Sequence, residues 1–143
     1  MKEATVTWVQ GRQFIGTANS GHAVVTDIDS KHGGSDSAVR PGELTLIALG
    51  SCTGTDVVGT LEKMRLPVED FRIEVRAEAA QDHPKVWTEI WIKFIIRGDV
   101  PEEKLERAIA LSRDTYCSVG AMLKKSATVH YDYEIHPPSG VTP

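Results

Sequence analysis

Cys52 and Cys117 are the only two thiols in a chain of 143 residues. One reaction needs such a pair. A thiolate attacks the O–O bond of a peroxide and becomes a sulfenic acid, which a second thiol captures as a disulfide with loss of water. The competing reading is packing, because free cysteine is among the most frequently buried residue types. Other chemistries find little footing. The histidines, His22, His32, His83, His130 and His136, show no metal-ligand spacing, so neither a metal nor another cofactor is expected. Ser51, Ser118 and Ser126 lack a hydrolase elbow, and Gly33-Gly34 is too short and unframed for a phosphate loop.

The neighbours of the two cysteines bear on their reactivity. Cys52 lies between Gly50 and Gly54, where small side chains leave room around its sulfur. On an ideal helix it shares a face with Ala48, Leu49, Thr55, Asp56 and Gly59. Asp56, one turn on, is placed either to tune the thiol or to make a buried structural hydrogen bond. Cys117 is expected at the start of a short helix, where the dipole lowers a thiol pKa. Trp87, Trp91, Tyr131 and Tyr133 serve as core or line an apolar pocket.

The elements that must position these residues read from periodicity. Ala4, Val6 and Trp8 alternate with Thr5, Thr7 and Val9. Gly11-Arg12 turns into Gln13 to Ala18, and Asn19-Ser20-Gly21 turns into His22 to Ile28, an antiparallel meander. A polar loop follows from Ser30 to Ala38. A long helix then runs from Pro41 to about Met64, with Glu43 at its positive end. Phe71, Ile73, Val75 and Ala77 mark one face of a strand, and Ile90, Ile92, Phe94 and Ile96 mark the next. Trp87 and Trp91 stand on the opposite face of the latter, which predicts cover there too. Asp99 and Glu102 have capping-box spacing before a second helix with Leu105, Ala108, Ile109, Ser112 and Tyr116 as its buried stripe. Ser118 to Lys125 forms a short helix, with Lys124-Lys125 its solvated end. Thr128 to His136 is a last strand, with Val129, Tyr131, Tyr133 and Ile135 facing inward. The order β-β-β-α-β-β-α-β describes one α+β domain over residues 1–136, with a disordered tail over 137–143.

The cysteine helix is unlike a surface helix. Between Leu44 and Leu61 its only charge is Asp56, which predicts burial around nearly the whole circumference. Gly50, Gly54 and Gly59 each cost roughly 1 kcal/mol against alanine, and Gly50 and Gly54 on one face imply the close approach of another backbone. A chain this small has difficulty surrounding a helix, so a homodimer with this helix at its centre is expected. The alternative is a helix wrapped by the chain's own sheet.

Composition narrows the setting. The chain is 41% hydrophobic and 25% charged, with net charge −4, a balance without a basic footprint for nucleic acid or an anionic membrane. The start, Met1-Lys2-Glu3-Ala4-Thr5, lacks a signal peptide's apolar run, and the longest apolar stretch, Leu44 to Leu49, is short of a membrane span. A cytoplasmic location is expected, where thiols stay reduced.

Pro41-Gly42-Glu43-Leu44, Ala48-Leu49-Gly50-Ser51-Cys52 and Asp56-Val57-Val58 resemble the first-cysteine helix of the OsmC/Ohr superfamily, the osmotically inducible and organic hydroperoxide resistance proteins. Tyr116-Cys117-Ser118-Val119 resembles its second-cysteine segment. Trp8-Val9-Gln10-Gly11, Phe14 and Ser20-Gly21-His22 correspond to the YhfA-like branch. The similarity runs from about Lys2 to His136.

The resemblance implies an OsmC-like α+β fold, with antiparallel sheets wrapped around two central helices in an intertwined homodimer and active sites at the interface. It implies a cysteine-based peroxidase that reduces small organic hydroperoxides, Cys52 as nucleophile and Cys117 as resolving thiol, recycled by a dithiol such as a lipoyl group. Peroxidase members carry a glutamate directly after the helix-starting proline. Gly42 stands there in this chain, with Glu43 one residue later and about 180° around an ideal helix from Cys52. The thiolate-favouring arginine of those members has two candidates, Arg12 and Arg40. The departure leaves a second expectation open, a redox-sensing or apolar ligand-binding dimer that kept the thiols without efficient catalysis.

Overall fold

A computed structural model describes residues 1–140. It contains two compact units, Met1–Thr45 and the chain from Leu46 onward.

In the first unit, β1 (Ala4–Gln10), β2 (Gln13–Ala18) and β3 (Ala23–Thr26) form the expected antiparallel meander. Trp8 pairs with Phe14 and Ile15 with Val25. The β1–β2 turn needs a left-handed residue, and Gly11 supplies it at φ +54°. After β3 the polar loop is gathered by one carboxylate. Asp27 accepts the amide N–H groups of Ile28, Ser35 and Ser37 and the Ser37 hydroxyl, the last at 2.6 Å. The bond from Ser37 and those from the amides hold its pKa at about 2. A side chain at Gly34 would collide with the Ile28 carbonyl, so the loop closes only on glycine there.

Helix α1 (Pro41–Lys63) starts where Pro41 and Glu43 predict. Glu43 reaches back to accept the Arg40 N–H at 2.9 Å, the second half of a capping box without a side-chain cap. At its end, Arg65 takes a left-handed conformation, and the Leu66 N–H reaches the Leu61 carbonyl. By length and mean hydropathy α1 falls within the range of a membrane-crossing helix, an apolar reach wider than the run Leu44 to Leu49 suggests. Its inward stripe, Leu49, Thr53, Val57 and Leu61, is nevertheless packed in protein. The expectation of burial around the whole circumference does not hold in the single chain. Ile47 is 53% exposed, and Ser51 and Thr55 also face out.

In the second unit, β4 (Val68–Ala79), β5 (Trp87–Gly98) and β6 (Thr128–His136) form one sheet in that order. Ile90, Ile92, Phe94 and Ile96 are buried on its inner face, with Leu49, Val57 and Leu61 of α1 and Leu105 in the same core. Phe71 stacks on Phe94 with ring centroids 6.2 Å apart. Gly50 and Gly54 do permit a close approach, but from side chains of β4 rather than another backbone. A Cβ at Gly54 would stand 2.8 Å from Ile73 Cδ1, and one at Gly50 would stand 3.3 Å from Val75 Cγ2. On the outer face Trp91 is covered by His130, stacked with centroids 5.5 Å apart.

Three further details differ from the sequence reading. β5 and β6 run parallel, because the chain between them is a helical crossover rather than a hairpin. Helix α2 (Glu102–Leu111) begins after Pro101, which makes no side-chain cap bond. Proline disfavours helical geometry at Val100, so Asp99 cannot act as the cap of an Asp99–Glu102 box. Tyr116 is 59% exposed instead of continuing the stripe of Leu105, Ala108, Ile109 and Ser112. Residues Ser112–Tyr116 form a wide turn of π geometry, in which the Cys117 N–H reaches back five residues to the Ser112 carbonyl at 2.9 Å. The wider turn carries Tyr116 off the helical stripe.

Beyond β6, the Pro137 carbonyl accepts from Arg97, and Ser139 donates twice to Glu69. Residues 141–143 of the tail expected to be disordered lie outside the described residues.

Candidate active site

Two elements bring the thiols together. Helix α1 carries Cys52 beside the inward stripe, half-buried. The wide turn after α2 delivers Cys117 to the N-cap of α3 (Ser118–Leu123), where it is 5% exposed. The two sulfurs and a carboxylate oxygen of Asp56 all lie within 4.8 Å of one another. Both cysteines are free thiols.

Cys117 is held by two polar contacts. The Gly120 N–H donates to its sulfur at 3.2 Å, and the Thr53 hydroxyl lies 3.4 Å away. The helix start predicted for Cys117 is therefore present, but its predicted effect on the thiol is outweighed. Burial raises the Cys117 pKa, the bonds from Thr53 and Gly120 oppose the rise, and the neighbouring Cys52 adds to it. Six residues of helix and two polar contacts do not repay the desolvation of a thiolate. The fit around this sulfur is tight, since a Cβ at Gly120 would stand 3.3 Å from it.

Of the two roles anticipated for Asp56, it makes a structural hydrogen bond, at a part-buried position. The Ser112 hydroxyl, fully buried, donates to its Oδ2 at 2.8 Å. Behind Cys117 stands Tyr131, whose pKa is raised by burial and then by the nearby Cys117. The Arg113 guanidinium and the Lys124 ammonium lie 5.9 and 5.6 Å from the centre of its ring. Lys124 is not merely a solvated helix end, because its Nζ also donates to the Arg113 carbonyl at 2.7 Å.

The other tuning candidates lie in the first unit. Arg40 pairs with Asp36 at 3.2 Å, Glu43 at 3.3 Å and Asp29 at 3.8 Å. Glu43 is a helix-start carboxylate, its pKa lowered by the Arg40 N–H and then by the Arg40 side chain. The Arg12 guanidinium lies beside Gly33. The structure thus joins Cys52, Asp56 and Cys117 in one cluster and Arg40 with Glu43 in another.

Thr53 and Gly120 are the site residues that sequence reasoning missed. Thr53 had a signal, since it is the single hydroxyl in the stripe Leu49, Thr53, Val57, Leu61, and a buried hydroxyl requires a partner. Ser112 carries the same signal in the stripe of α2. Gly120 had none.

An open, mostly apolar groove of about 840 Å³ runs between the outward face of α1 and β4, past Ile47, Gly50, Gly54, Val58, Phe71 and Ile73. Neither cysteine lines it.

A mixed sheet packed on a glycine-bearing cysteine helix, with a second cysteine delivered beside the first, defines the class. The family model described as OsmC-like protein matches residues 34–132, and the chain belongs to that family. It is 37% identical over 134 residues to Protein YhfA of Escherichia coli K12, covering 93% of this chain and 97% of that one. A crystal structure of a protein from Aquifex aeolicus VF5 superposes with a TM-score of 0.86 at 32% identity, over 97% and 98% of the two chains. An organic hydroperoxide resistance protein from Elizabethkingia anophelis shares the fold, with a TM-score of 0.72 at 15% identity over 95% and 96%.

Proposed function

We propose that this protein is a cytoplasmic thiol peroxidase that reduces small organic hydroperoxides as a homodimer. The observation that carries the reading is the pair of free thiols with sulfurs within 4.8 Å, one half-buried and one buried. Cys52, the more accessible, attacks the distal peroxide oxygen as its thiolate. The O–O bond breaks, the alcohol leaves with a proton, and Cys52 holds a sulfenic acid. The Cys117 thiol displaces hydroxide from that sulfur, giving a disulfide and water. A dithiol of the lipoyl type then reduces the disulfide by exchange and becomes oxidised itself. Asp56, whose carboxylate lies within 4.8 Å of both sulfurs, is the candidate to take up the thiol proton, and Arg40, Arg12 and Glu43 stay candidates for tuning within an assembled dimer. Support for the dimer comes from exposed Val6, Trp8, Ile15, Val24 and Val25 in the first sheet and from the apolar groove along α1.

The direct test gives reduced protein a limiting amount of an organic hydroperoxide, with hydrogen peroxide in parallel, and follows thiols and peroxide. Loss of two thiols per chain, abolished in Cys52→Ser and reduced to a single oxidation cycle in Cys117→Ser, is expected. Turnover that survives Cys52→Ser would falsify the reading.

Gly42 in place of the helix-start glutamate and the raised Cys117 pKa favour a second reading, a redox-sensing or apolar ligand-binding dimer. Slow oxidation combined with retention of an apolar ligand distinguishes it.

A further inference from the structure

Three groups that can each carry a negative charge meet in one place, and among the described residues none of them is in an ion pair. Cys52 Sγ, Cys117 Sγ and an Asp56 carboxylate oxygen lie within 4.8 Å of one another. Among the described residues, the bond to the Asp56 carboxylate comes from the neutral hydroxyl of Ser112, and no ion pair involves Asp56.

We infer that Cys52, Asp56 and Cys117 form a binding site for a thiophilic divalent cation, with zinc as its representative. Two sulfurs and one carboxylate oxygen suit a borderline-soft ion and not magnesium or calcium, which take oxygen ligands. Tetrahedral zinc, with bonds of about 2.3 Å to sulfur and about 2.0–2.2 Å to carboxylate, needs ligand atoms roughly 3.5–3.8 Å apart. Shifts of about an ångström in three side chains reach that spacing. Three ligands leave the fourth position open to water or to a ligand from solution.

The outer contacts point the same way. Gly120 N–H and Thr53 orient the Cys117 sulfur, and Ser112 orients Asp56. Donors of this kind fix ligand direction in metal sites. Half-buried Cys52 gives the ion a way in. Binding displaces the thiol protons into solution, so affinity rises with pH. A bound ion also occupies the sulfur electron pairs that attack on a peroxide requires, which makes the thiols protectable. The site itself follows from geometry and stands without the peroxidase reading.

Reduced, metal-free protein titrated with cobalt(II) tests this directly, through sulfur-to-cobalt charge-transfer absorption and its loss on addition of zinc. One ion per chain is expected, with the absorption lost in Cys52→Ser and in Cys117→Ser. Asp56→Asn and Ser112→Ala should each weaken binding about tenfold or more while circular dichroism stays unchanged. Absence of charge-transfer absorption in the folded wild type overturns the site, as does absorption persisting in either serine variant. Wild-type affinity in Asp56→Asn overturns the ligand set. Peroxide-driven thiol loss in the same metal-free protein is read separately, so one proposal can fail without the other.

Discussion

Ser112 is joined to both halves of the thiol site: its hydroxyl donates to Asp56 at 2.8 Å, and its carbonyl accepts the Cys117 N–H at 2.9 Å. A single buried residue therefore couples the carboxylate on α1 to the backbone that positions the second sulfur. The orientation of Asp56 and the placement of Cys117 are not independent variables. A substitution that moves one moves the other.

Thr53 sets the readiness of Cys117 to ionise. Its hydroxyl opposes the rise caused by burial, so Thr53→Val should move Cys117 deprotonation to higher pH. Stability should change by no more than about 1 kcal/mol, because valine fills the same volume and one hydrogen bond is at stake. The pH profile of Cys117 alkylation in a Cys52→Ser background measures the shift. An unchanged profile would remove Thr53 from the account.

The loop gathered by Asp27 should open in acid. Its folded pKa of about 2 lies below the ordinary 3.8, so the charged form is the one that folding favours. The contribution is fully present above pH 3.8 and is lost as pH falls toward 2. The Ser35 and Ser37 amide resonances, which report their bonds to this carboxylate, should titrate with a midpoint near the lower value. Titration near the ordinary carboxylate pKa would contradict the geometry.

Ile47 offers a test of the proposed dimer. It lines the groove on α1 and is 53% exposed in the single chain. Ile47→Asp should weaken self-association at least tenfold, since a carboxylate in an apolar interface must be desolvated without a partner. Sedimentation across a concentration range provides the measurement, and thermal stability of the single chain should change little. Equal self-association of variant and wild type would place the interface elsewhere.

Much of this arrangement was legible in the residues. The alternation in Phe71 to Ala77 and in Ile90 to Ile96 marks faces that are inward in the structure, and Pro41 with Glu43 marks the true start of α1. The cysteine segments led to the family. What escaped reading shares one physical origin, dependence on partners distant in the chain. Periodicity cannot say whether β6 runs with or against β5. The charge of Arg40 gives no hint that three carboxylates already answer it. Nor does the position of Cys117 at a helix start reveal that desolvation outweighs the donors there. The capping box fails for a local reason, the restriction that Pro101 places on Val100.

The wide turn at Ser112–Tyr116 acts as a phase correction. Each residue of an α-helix advances the chain by about 100°, a consequence of 3.6 residues per turn. A turn that absorbs extra length lets α2 keep one phase against the sheet while Cys117 adopts another against α1. The thiol pair is thus a matter of angular register as much as of distance. Removing Thr115 from that turn would leave every side chain of the site in the protein and point the second sulfur in a different direction.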